Sequence, residues 1–144
     1  NNISNKLPET KLLITPLKNF KLSNNIFFRN FGSTEDLIND ILQSKIYLIP
    51  GHKSELSCQA VEEAKELCLP TVTMGIGSLS EQIQHEKNGL IAKNHNEFSD
   101  YVYQLFNDQV LYNKIRNYLK NNRGKKVWSK IANKLLMDLE NFKS

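Results

Sequence analysis

Short apolar runs alternate with stretches of helical period along this chain. Residues 11–15 (KLLIT) and 26–31 (IFFRNF) are apolar, β-branched or aromatic, and read as strands. Pro16 closes the first. The residues between them are few for a parallel crossover, which takes about a dozen or more, so one short helical turn is expected at 16–25. Gly32 ends the second run. Ser33-Thr34-Glu35-Asp36 reads as a helix start, with Ser33 as cap and Asp36 at the third position. Leu37, Ile38, Ile41 and Leu42 then recur at helical spacing. Residues 45–49 (KIYLI) make the next strand, ended by Pro50-Gly51.

A helix over about 57–67 sets Ala60, Val61, Ala64, Leu67 and Cys68 along one stripe, and Pro70 ends it. Residues 71–74 (TVTM) form a short strand, 75–78 a turn, and 80–85 a short helix. Asn88-Gly89 signals a turn before a brief strand at 90–92. The rest reads as helix. Phe98, Tyr101, Val102, Leu105 and Phe106 make one core-facing stripe, and Leu111, Ile115, Tyr118 and Leu119 a second. A last helix carries Trp128, Ile131, Ala132, Leu135, Leu136 and Leu139.

Strands alternating with helices predict an α/β fold: a Rossmann-like parallel sheet with helices on both faces and a helical C-terminal third. A length of 144 residues fits one domain. Residues 1–25 are expected as an irregular start with one short strand, and residues 26–144 as the domain proper. In such folds ligands bind outside the carboxyl ends of the strands, where strand order reverses. The turns after Ile49 and Met74 lie there.

Composition narrows the class. Hydrophobic content of 40% and charged content of 24% are those of a globular domain. No apolar run approaches the ~18–20 residues that span a bilayer. The start, NNISNKLPET, is polar and lacks a signal peptide's apolar core, which points to the cytoplasm. Cys58 and Cys68 stand too far apart along one helix to pair, as expected of reduced core residues. The net charge of +4 is unevenly placed, with eight basic residues and no acid from Lys114 to Lys134. That stretch is a solvated helical face or a surface for anionic lipid or a partner domain. No nucleic-acid module accompanies it.

The candidate chemistry sits at residues 52–81. The turn His52-Lys53-Ser54-Glu55-Leu56-Ser57-Cys58 leads into a helix N-terminus, where free amides and the helix dipole suit a phosphate. Lys53 adds a positive charge. Glu55, at the mouth of the turn, can accept hydrogen bonds from sugar hydroxyls. Glu63, eight positions on, can hold a diol such as a ribose. By spacing alone, two glutamates on a Glu-rich helix more often describe a solvated face.

The motifs in order are more specific. Glu55-(x7)-Glu63 is followed by Ala64, Pro70-Thr71-Val72, Gly77-Ser78-Leu79-Ser80-Glu81 and Asn88-Gly89-Leu90, with Trp128 and Ala132 downstream. This set resembles the C-terminal, donor-binding half of retaining GT-B glycosyltransferases with an E-x7-E signature (group 1, or family 4, type), over about residues 26–140. The resemblance implies that a hexose passes from a nucleotide-diphosphate sugar to a glycan or lipid-linked acceptor, as in the synthesis of envelope polysaccharide or lipopolysaccharide. Glu55, the candidate catalytic residue, would meet the donor sugar. Glu63 would bind the ribose. The backbone of Leu56, Ser57 and Cys58, with Lys53, would approach the diphosphate, Ser78 would line the pocket, and Glu81 would shape its turn. No metal and no cofactor are expected, because basic side chains and backbone dipoles stabilise the leaving diphosphate.

The chain also departs from the family pattern. Leu56 and Cys58 stand where the family has glycines, and Cys68-Leu69 where it has a glycine before the proline. The family's first strand–helix unit, with its Arg/Lys pair, and its acceptor-binding N-terminal domain are missing from this sequence. The expected partners are therefore a nucleotide-sugar, an acceptor domain in cis or trans, and an anionic membrane surface for residues 114–134. This sequence alone should bind donor weakly and turn over little or nothing. The alternative is a degenerate, non-catalytic binding or interaction module. A flavodoxin-like receiver domain is disfavoured, since the early acidic pair and the lysine it needs are absent.

Overall fold

The structure is a computed structural model, and it describes residues 2–14, 25–28 and 33–124. In order, these form α1 (Asn2–Lys6), β1 (Leu12–Ile14), β2 (Ile26–Phe28), α2 (Thr34–Gln43), β3 (Tyr47–Gly51), α3 (Gln59–Glu66), β4 (Thr71–Ile76), α4 (Leu79–Gln82), β5 (Gly89–Ile91), α5 (His95–Asn107) and α6 (Gln109–Asn122). The expected turn at 16–25, the end of the second strand and the last helix lie largely outside the described residues.

The α/β reading holds, with all strand pairs parallel. The strands fall into two sheets, β1-β2 and β3-β4-β5, where one was expected. Between them lies a cleft of about 600 Å³, lined by Leu7, Leu13, Ile41, Ile46, Leu48 and Phe106 among others.

Strand period decides how the three-stranded sheet is covered, since alternate side chains point to opposite faces. Ile46 and Leu48 of the β3 segment, Val72 and Met74 of β4, and Leu90 and Ala92 after it pack with Phe98, Val102, Leu105, Ile115 and Leu119 of α5 and α6. Tyr47, Ile49 and Ile91 point the other way, onto Cys58, Val61, Leu79 and Ile83 around α3 and α4. Helices therefore cover both faces. Fully burying a side chain such as Leu105 or Ile115 contributes roughly 1.5–3 kcal/mol.

Local chemistry sets the helix starts. Ser33 and Asp36 form the expected capping box on α2. The Asn94 side chain accepts from the amides of Asn96 and Glu97 to start α5. Asp108 does the same for α6 through Val110 and Leu111. α1, which the polar start did not suggest, packs against α5 and is tied to it by a Lys6–Asp100 ion pair. The Asn25 side chain links that start to β2, donating to the carbonyls of Leu7 and Thr10 at 3.2 and 3.1 Å.

The buried stripe of α3 is narrower than expected. Val61 and Ala64 are buried, whereas Ala60 is exposed and Leu67 half-buried. Val61 and Ala64 form the buried row, and Ala60, second residue of the helix, stands at its open start. The two cysteines flank this helix rather than lying inside it. Cys58 is its N-cap, and Cys68 follows its C-cap; both are free and buried. Cys68 has φ 58°, the left-handed end that glycine ordinarily takes. No helix among the described residues is long and apolar enough to cross a membrane.

Candidate functional site

Two loops leave the carboxyl ends of the adjacent strands β3 and β4, and they carry the sequence-derived candidates. The first, residues 52–58, begins as a turn in which the Glu55 amide donates to the His52 carbonyl at 3.1 Å. The His52 ring closes it, with Nδ1 2.6 Å from Ser54 Oγ. The second, residues 77–82, runs directly against the first. The Ser78 amide donates to the Glu55 carbonyl at 3.0 Å. Gly77 makes that approach possible: a Cβ there would stand 2.4 Å from the His52 carbonyl oxygen and 2.9 Å from that of Glu55. Its φ of 66° also lies in the left-handed region open to glycine.

Electrostatic interactions link several side chains around this junction. Tyr47 points from β3 toward α3 and is half-buried. Burial pushes its phenol above the ordinary range, and the charges of Cys58, Glu63 and Glu55 push the same way. Burial likewise pushes the Cys58 thiol up, and its hydrogen bond to the Glu55 carboxylate adds to the effect against backbone bonds that lower it. Glu55, Cys58 and Glu63 thus share one electrostatic neighbourhood centred on Tyr47. Glu55 is half-buried and Glu63 exposed.

The remaining candidates scatter. Lys53, Ser57 and Glu81 are exposed, and Ser78 is half-buried. Leu56 is 94% exposed and so projects away from the core. Cys58 is 4% exposed, and its amide, expected to approach a diphosphate, donates to Gln82 Oε1 at 3.1 Å. The amides of Leu56 and Ser57 precede that point on the same loop.

Two contributors, Tyr47 and Gln82, escaped the sequence reading, and so did Asn88, a structural brace of the turn beside them. Tyr47 was read only as a strand residue; its phase opposite to Ile46 and Leu48 was the available signal. Gln82 was read as part of a polar helical turn, and nothing in its neighbours marks it. Asn88, a turn signal by sequence, is buried, accepting from the Gln84 amide at 2.7 Å and donating to the Gln82 carbonyl at 3.2 Å. The cleft between the two sheets shares only Tyr47 with this cluster. Among the described residues no group of three or more His, Cys, Asp or Glu side chains is arranged to hold a metal ion.

A family model described as "Glycosyl transferases group 1" matches residues 6–124, from the end of α1 to just past α6. No curated protein matches the chain.

Proposed function

Since the chain belongs to the group 1 glycosyl transferases, we propose that it supplies the donor-binding half of a retaining hexosyltransferase and holds a nucleotide-diphosphate sugar at the β3 and β4 loops. The carrying observation is the junction of the two loops, where the Ser78 amide meets the Glu55 carbonyl at 3.0 Å beside the start of α3, the helix that bears Glu63. Glu63 receives the ribose diol, and Glu55 the hydroxyls of the sugar. The amides of Leu56 and Ser57, with Lys53, face the diphosphate and stabilise its charge as it leaves. No metal takes part in this reading. An acceptor domain, in cis or in trans, completes the enzyme. The exposed Arg116 and Lys120 of α6, with Arg123 at its C-cap, are offered to an anionic membrane surface that carries a lipid-linked acceptor.

The test is a chemical-shift titration of the chain with UDP-glucose, GDP-mannose and ADP-glucose, with Glu63→Ala beside it. Binding between about 10 μM and 1 mM, or roughly −4 to −7 kcal/mol, that Glu63→Ala abolishes is the expected result. Silence at Tyr47, Glu55 and Gly77 with all three donors would sink the donor reading. One observation favours a second reading, a non-catalytic module: the Cys58 amide is already engaged by Gln82. In that case the silence would persist when a further strand–helix unit carrying an Arg/Lys pair is added.

A further inference from the structure

We infer that Gln82 is the positioning residue that sets Glu55 against Glu63; this rests on the donor reading above. The two carboxylates stand on separate pieces of backbone, Glu55 on the loop after β3 and Glu63 inside α3. The Gln82 carboxamide clamps the joint. Its Oε1 accepts from the Cys58 amide at 3.1 Å and from Ser78 Oγ at 3.2 Å. Its Nε2 donates to the Cys58 carbonyl at 3.2 Å and to Glu62 Oε1 at 3.1 Å. Oxygen faces two donors and nitrogen two acceptors, so the amide has one satisfied orientation. Neither Cys58 nor Ser78 caps its own helix with its side chain. Gln82, 24 positions from Cys58, instead ties the start of α3 to the turn that holds the Glu55 carbonyl.

Such a clamp sets the sugar end of the site relative to the ribose end. Loss of the clamp should weaken the sugar's share of binding and leave the nucleotide's share in place. The experiment compares dissociation constants of the full chain for UDP, GDP and ADP with those for UDP-glucose, GDP-mannose and ADP-glucose. It uses wild type, Gln82→Met and Asn88→Ala, with melting curves for each. Asn88→Ala loosens the same turn through the Gln82 backbone carbonyl and leaves the carboxamide untouched.

In wild type the sugar should tighten binding over the bare diphosphate. In Gln82→Met that increment should fall about tenfold, equivalent to about 1.4 kcal/mol, with the diphosphate bound as before. Asn88→Ala should lose stability and keep the increment. An unchanged increment in Gln82→Met, no increment in wild type, or equal losses in both variants overturns the assignment alone. A wild type that binds neither ligand overturns the donor reading, and the assignment with it.

Discussion

The amide of Ser78 donates to the carbonyl of Glu55 across 3.0 Å, fastening the turn after β4 to the loop after β3. Each loop belongs to a different strand–helix unit, so their relative position is fixed by this contact and its neighbours rather than by chain connectivity. The site is as good as that seam.

Gly77 should be the residue least tolerant of change there. An alanine methyl would fall 2.4 Å from the His52 oxygen, and the backbone sits at φ 66°. The strained backbone and the clash with main-chain atoms together should cost Gly77→Ala about 2–4 kcal/mol. Urea unfolding midpoints measure the loss, and a variant as stable as wild type would contradict the close approach.

Glu63 should matter for binding and hardly for stability, because its side chain is exposed. Glu63→Ala should leave the melting temperature nearly unchanged. It should also lose about 1.5–3 kcal/mol of donor affinity, the weight of hydrogen bonds to a charged group. Glu66→Ala, one turn further along α3, is the comparison that should bind normally. Equal effects from both would reduce the Glu pair to a solvated face.

Leu56 offers a test of the lost glycines. Its side chain is 94% exposed, so Leu56→Gly removes no core packing. Stability should stay within about 1 kcal/mol, the backbone cost of a glycine. Donor affinity should rise as the backbone is uncovered. Calorimetric titration decides it: unchanged affinity would show that the leucine crowds nothing.

The Cys58 and Tyr47 protons make stability depend on alkaline pH. Ordinary values for these groups are 9.0 and 10.0, and both are raised in the fold. The unfolded chain therefore gives up these protons first. The stabilisation is complete below about pH 9 and is lost as pH rises through the folded values. Urea midpoints taken at about pH 8, 9 and 10 should fall for wild type and fall less for Cys58→Ala. Parallel profiles would dissociate the thiol from the effect.

Much of this was written locally. The Ser33–Asp36 box, the Asn88-Gly89 turn and the α5 stripe of Phe98, Val102 and Leu105 depend on residues within a turn or two of each other. Their chemistry is visible in sequence and survives folding. The same holds for the alternation Ile46-Tyr47-Leu48-Ile49, which assigns each side chain to a face once a strand is granted. The Glu55–Glu63 pair was legible as a spacing, and the family match added the class of chemistry.

Pairings between distant segments are set by packing, which no single stretch encodes. Which strands share a sheet was one such outcome: β1-β2 and β3-β4-β5 separate because β1 and β3 do not pair. The exposure of Ala60 was another, since it stands at the open start of α3 while Val61 and Ala64 are buried. The joining of Cys58 to Gln82 was a third. A carboxamide finds its four partners only after two strands have brought two loops together, and polar side chains at a turn look alike until then. The sequence determined the elements, their faces and the acids available. The tertiary structure decided which of them meet, because hydrogen bonds between remote loops form only where a packed core holds both ends still.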